Sequence, residues 1–191
     1  MPGHLVRGNM VLTAQRLFLA VAALVAAQAV LPAYGEARDD SVKAAFLPKF
    51  ARYVEWPATA RPAPRDPIRL CVVGSDAFGR RLDESAAQES VSGRPLELRR
   101  MADADGAAGC HLAFVRGGSP EETTRLLAAL AAHPILTITD AAAGQPRGMV
   151  HFVIAHGRVR FFVDEAAAAE RGLIISSRLL RLAIGVRQRR S

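Results

Sequence analysis

Apolar and polar residues alternate along this chain in two rhythms. Up to residue 56 the rhythm is helical. Val42, Phe46, Phe50 and Tyr53 recur every three or four positions, and Arg52 and Glu55 fall off that stripe. The pattern predicts an amphipathic helix over residues 40–56. Asp39, Asp40 and Ser41 offer side-chain oxygens for its first turn. Pro48 has no N–H to donate and crowds the preceding turn, so it is expected to kink the helix or divide it in two. Trp56-Pro57 ends it, and residues 57–67 (PATARPAPRDP) read as an extended, Pro-rich connector.

Beyond the connector, strand and helix patterns alternate. Residues 68–73 are an apolar run of the buried-strand type, then Gly74-Ser75-Asp76 and a helix over 77–87. Residues 96–100 alternate like a half-exposed strand, and 111–115 are a second buried run. Ser119-Pro120-Glu121-Glu122 is a helix start, with Ser as cap, Pro at the first position and Glu to complete a capping box. That helix packs through Leu126, Leu127 and Leu130 until His133-Pro134, and residues 135–139 form another strand. Residues 149–154 and 158–163 flank Ala155-His156-Gly157 as a hairpin. A short Ala-rich helix (164–171) follows, and Ser176 caps a last helix through residue 184. The order implies an α/β fold: a layered sandwich with a mostly parallel central sheet, an antiparallel C-terminal hairpin and flanking helices.

The N-terminus changes which residues enter that fold. Arg7 and Arg16 precede an unbroken apolar and small-residue run, Leu17 to Val30, and Ala33-Tyr34-Gly35 has the small residues a signal peptidase reads. Residues 1–35 are therefore expected to be a cleaved signal peptide, residues 36–184 one domain, and 185–191 a basic disordered tail. A retained N-terminal anchor is the alternative, although the run is short for a spanning helix. The expected location is the periplasm. The chain carries a net charge of +7, part of it in Arg178, Arg181, Arg187, Arg189 and Arg190. With no aromatic series or nucleic-acid motif beside those arginines, an exported protein would turn them to solvent or to anionic lipid.

Candidate chemistry is sparse. Cys71 and Cys110 are the only cysteines, and an even number in an oxidising compartment reads as a disulfide, the alternative being two buried free thiols. In a parallel sheet with its first and third strands adjacent, the two would meet. Gly74-Ser75-Asp76 could hold an anion at a strand-to-helix turn, yet it is neither a dinucleotide fingerprint nor a phosphate-binding loop. A tight turn with Ser75 or Asp76 as cap is the simpler reading. His111, His133, His151 and His156 have no metal-ligand spacing, and Ser176-Ser177 lacks a nucleophile elbow. No cofactor, metal site or enzymatic activity is expected.

Four stretches together resemble the YfiR family: VKAAFLPKFARYVEWP (42–57), IRLCVVGSDAFG (68–79), CHLAFVRG (110–117) through ILTITD (135–140), and GMVHFVIAHGRVRFFVDEAAAAERGLIISSRLLRLA (148–183). The resemblance implies a periplasmic repressor that binds the sensory domain of an inner-membrane diguanylate cyclase and restrains cyclic-di-GMP synthesis. It further implies an outer-membrane lipoprotein that sequesters the repressor, a homodimer, and redox control through disulfides. Cys71 and Cys110 match one family cysteine pair; the second pair of some members has no counterpart between Gln145 and His151. Arg147-Gly148-Met149 replaces a paired glycine, Asp164-Glu165 an Asn, and Pro48 interrupts the first helix.

Two classes of function follow. A regulator acting by contact needs an exposed apolar face, for which Phe46, Phe50, Tyr53, Trp56, Leu179 and Leu180 are the candidates at a partner or dimer interface. A small-ligand sensor would use Gly74, Ser75 and Asp76, or Arg178 and Arg181.

Overall fold

The computed structural model describes residues 31–144 and 146–189. The apolar run Leu17 to Val30 and the last two residues lie outside them. Contacts divide the chain into a unit up to Arg38 and a compact body from Asp39 onward.

The first helix, α1, spans Leu31–Phe46 and so begins well before residue 40; Asp39, Asp40 and Ser41 lie inside it and are not its caps. Pro48 divides the predicted helix, as its missing N–H requires, and stands first in a separate 3-10 turn, Pro48–Tyr53. The predicted last turn is instead a strand, β1 (Val54–Glu55). It pairs antiparallel with β9 (Ile174–Ile175), so backbone groups that a broken helix leaves free are met by a distant segment.

The sheet has eight strands. In chain order they are β2 (Ile68–Gly74), β3 (Ser90–Val91), β4 (Arg94–Met101), β5 (Leu112–Arg116), β6 (Leu136–Asp140), β7 (Val150–Ala155), β8 (Arg158–Asp164) and β10 (Gly185–Arg187). They lie in the order β10-β8-β7-β6-β5-β2-β4-β3. Pairing is parallel from β4 through β2, β5 and β6 to β7, and antiparallel within the β7–β8 hairpin and between β3 and β4. At the hairpin tip His156 and Gly157 have φ of 51° and 67°, the left-handed pair a two-residue turn demands. β10 was unforeseen. Gly185–Arg187, expected in a disordered tail, pair in parallel with β8.

Side-chain alternation sorts the core into two layers. Leu70, Val72, Leu112, Phe114, Leu136, Ile138, Val150, Phe152, Phe161 and Val163 face one side, with Leu47, Phe50 and Trp56 packed on them. On that side also sit α2 (Arg80–Ala87) through Leu82, α4 (Glu165–Glu170) through Ala168 and α5 (Ser177–Leu182) through Leu179. The opposite side carries Cys71, Val73, Ala113 and Val115 beneath Leu126 and Leu130, under α3 (Pro120–Ala129). Strands β2 and β5 are thus apolar on both faces, which is why they read as continuous runs, whereas β6 turns Leu136 and Ile138 to one face and Thr137 and Thr139 to the other.

The helix starts differ in detail from their sequence signals. Ser119 Oγ accepts the Glu122 N–H at 3.2 Å, as a cap should. Glu122 reaches past Ser119 to the Gly118 N–H at 2.7 Å, so the box closes one residue further out. Asp76 does not cap α2. It accepts from Phe78 and Gly79 N–H, at 2.7 and 3.2 Å, and the helix starts at Arg80 after Gly79 turns the chain at φ 51°.

Candidate interaction surface

The cysteines meet as the parallel topology requires. β2 and β5 are neighbours, and Cys71 and Cys110 form a disulfide with Cα atoms 6.0 Å apart. Cys71 is fully buried and Cys110 nearly so. The bridge therefore staples the second core layer beneath α3.

The six apolar interface candidates divide by burial. Phe50, Trp56 and Leu179 are in the core and offer no surface to a partner. Phe50 packs edge-on against Phe161 with ring centres 5.4 Å apart. Trp56 donates its Nε1–H to the His111 carbonyl at 3.1 Å and meets the His111 ring edge-on. Tyr53 and Leu180 are half-buried against the same core, and the Tyr53 carbonyl accepts from Ser176 N–H. Phe46 stays exposed at 38 %. The reason is Pro48: once the helix is divided, residues on its two sides no longer share one stripe.

Residues outside the candidate set complete an apolar rim around Phe161. The Phe46 ring lies tilted against it with centres 6.5 Å apart, and the Ile184 N–H donates to the Phe161 carbonyl at 3.0 Å. Ile154 follows Phe152 on the same face of β7, opposite Val159, and Leu182 ends α5. Ile154, Leu182 and Ile184 are 48, 57 and 40 % exposed. Ile154 was legible as an apolar strand residue, but nothing local marks a strand residue as uncovered.

The polar candidates stand apart from one another. Gly74, Ser75 and Asp76 lie at the carboxyl end of β2, where Gly74 has φ 87° and a Cβ would run into the Arg116 carbonyl. Burial works against the Asp76 carboxylate, but the Arg100 guanidinium and the Phe78 and Gly79 N–H groups outweigh it and hold the acid below its ordinary range. Arg100 bridges Asp76 (2.7 Å) and Asp83 (2.8 Å), closing this loop onto α2. Arg178 and Arg181 are exposed on α5, and no hydrogen bond or ion pair joins them to this loop among the described residues.

A buried charge cluster escaped the sequence reading. Lys43 on α1 binds Asp140 at 2.8 Å and Asp40 at 3.1 Å, and the Arg116 guanidinium stands 4.0 Å from Asp140. Burial pushes the Lys43 ammonium down, while Asp140 and then Asp40 more than reverse that and hold it above its ordinary value. The signal was a carboxylate closing a strand with no other charged residue. Such a residue must find a cation once its strand is covered. Because Asp140 is fully buried, the cluster ties α1 to the sheet and presents no nucleophile to solvent.

Two of the histidines, His111 and His151, are built into the fold. His111 Nδ1 accepts the Arg69 N–H at 2.9 Å, and His151 Nδ1 lies 2.8 Å from Thr139 Oγ1, which also accepts from Gly148 N–H. Burial, helped by Arg69 and Arg147 respectively, lowers both imidazoles. Among the described residues no group of three His, Cys, Asp or Glu could hold a metal ion, and no helix is long and apolar enough to cross a membrane.

A family model described as YfiR/HmsC-like matches residues 40–184. No curated protein matches the chain. The matched span takes in every strand of the sheet except β10, both core layers and the disulfide, and on that span the chain belongs to the YfiR/HmsC-like family of periplasmic regulators.

Proposed function

We propose that this chain is a non-catalytic periplasmic regulator that works by contact. It binds the periplasmic sensory domain of an inner-membrane signalling protein, a diguanylate cyclase in the first instance, and represses it. A homodimer and an outer-membrane lipoprotein that sequesters it belong to the same reading. Family membership over residues 40–184 supports it. The observation that carries it is the exposure of Phe46, Ile154 and Ile184 around Phe161, with Leu182 exposed at the nearby end of the chain segment that leads into Ile184. Exposed apolar groups clustered at one place are what a contact surface needs. Repression follows if this surface binds the inactive conformation of the partner more tightly than the active one.

The test is a cyclic-di-GMP reporter in cells carrying wild-type protein or the Ile154→Asp and Leu182→Asp variants. Both variants should raise the signal while melting as cooperatively as wild type. Folded variants that still repress fully would sink the reading.

A second reading, small-ligand sensing, is favoured by a cavity of about 500 Å³ lined by Arg61, Asp66, Arg69, Cys110, His111 and His133. It lies at the amino ends of the parallel strands, away from Gly74, Ser75 and Asp76. Its volume is in the range of small-molecule sites. A ligand there would raise the melting temperature saturably, and Arg61→Ala should abolish that rise.

A further inference from the structure

We propose that the open face of the β7–β8 hairpin lies against anionic phospholipid headgroups. α3 covers the second face of the sheet over β2 and β5, and those strands are buried on both sides. Over the hairpin the cover stops. Val153, Ala155 and Phe162 are only partly buried there, and Arg158 and Arg160 are exposed. The register puts Val153 opposite Arg160, Ala155 opposite Arg158 and His151 opposite Phe162, so all six share this face. Arg147 joins them from the preceding loop, its guanidinium 5.4 Å from the centre of the Phe162 ring.

Three guanidiniums from two segments thus lie in a strip along one face of the hairpin. Arg147, Arg158 and Arg160 enter no ion pair among the described residues. The one carboxylate on these two strands, Asp164, is taken by Arg187 at 2.6 Å and by the Ala167 N–H at the start of α4. The strip therefore has an uncompensated positive charge, in a chain whose net charge is +7. A cavity of about 410 Å³ opens at one end, between Arg147, His151, Phe162 and Gly185, and its lining does not reach Val153, Arg158 or Arg160. The strip's apolar members, Phe162 and Val153, sit shallowly between the cations. A plane of anionic headgroups meets such a strip at any spacing, and the shallow apolar groups suit the interface just beneath them. Val153 and Ile154 point to opposite faces, so lipid contact on this side leaves the apolar rim free.

This inference goes beyond the regulator reading and does not depend on it, because the assay contains no partner protein. The protein is isolated from expressing cells, its N-terminus is determined, and it is sedimented with phosphatidylcholine vesicles or with vesicles containing phosphatidylglycerol. Comparing the two lipids subtracts any lipid contact made by apolar segments. Wild type should bind the anionic vesicles selectively, and moderate salt should release it. The Arg158→Glu/Arg160→Glu variant should lose at least about tenfold in that binding. Arg178→Glu/Arg181→Glu removes the same charge from exposed positions on α5 and should stay within about twofold of wild type. No selectivity for the anionic vesicles, or equal losses in the two double variants, would overturn the proposal.

Discussion

Lys43 Nζ lies 2.8 Å from Asp140 Oδ2, joining the first helix of the body to the carboxyl end of a central strand 97 positions later. The Asp140 side chain is fully buried and that of Lys43 is 10 % exposed. The pair thus fixes where the helix sits, at the expense of desolvating two charges. Asp140→Ala leaves the ammonium beside Asp40 alone and should lower unfolding free energy by about 3–5 kcal/mol. The Lys43→Met/Asp140→Leu double variant should lose much less than the two single changes added together. Urea denaturation of the four proteins checks this, and strict additivity would deny the coupling.

The buried histidines set an acid limit on stability. Both are lowered from an ordinary value of 6.5. Below about 6.5 the unfolded chain takes protons that the folded one refuses, so stability falls as pH drops from 6.5 toward the folded values and levels off beneath them. The urea midpoint should therefore be lower at pH 5 than at pH 7, and His151→Gln should flatten that slope. A midpoint that rises on acidification would contradict the assignment.

Replacing both cysteines by alanine opens a loop with a sequence separation of 39. In the chain-entropy model the loss is about 4 kcal/mol, less if the unfolded chain stays compact. Thermal melts of the double variant should show a clear fall in midpoint with the fold retained, since the sheet and both core layers remain. An unchanged midpoint would mean that the bridge adds nothing to the folded state.

Phe50 and Leu182 should behave in opposite ways. Phe50→Ala empties a site walled by Phe152 and Phe161 and should cost about 3–5 kcal/mol. Leu182→Ala removes a side chain that is 57 % exposed and should change stability by no more than about 0.5 kcal/mol. Chemical denaturation separates the two, and a large loss at Leu182 would place it in a core.

Much of this molecule was legible from local rules. Apolar runs gave β2 and β5, the segment after His133-Pro134 gave β6, the His156-Gly157 turn gave the hairpin, and Ser119-Pro120 gave the start of α3, because each depends on neighbours only a few positions away. The Cys71–Cys110 bridge was legible as well, since parallel neighbours bring those two ends together. What the sequence could not settle were the short strands β1, β3, β9 and β10. Their two or three residues carry too little pattern; β1, β9 and β10 exist because a segment far along the chain presents unpaired backbone groups, while β3 pairs with β4 across the tight Ser92-Gly93 turn. The same holds for the surface. A helical stripe marks residues as apolar without saying which are covered. Only the folded chain could bury Phe50, Trp56 and Leu179, leave Phe46 and Leu182 in solvent, bring Lys43 to Asp140, and set Arg147 on one face with Arg158 and Arg160. Burial and charge pairing across the fold are sums over residues far apart in the chain, and no local rhythm encodes them.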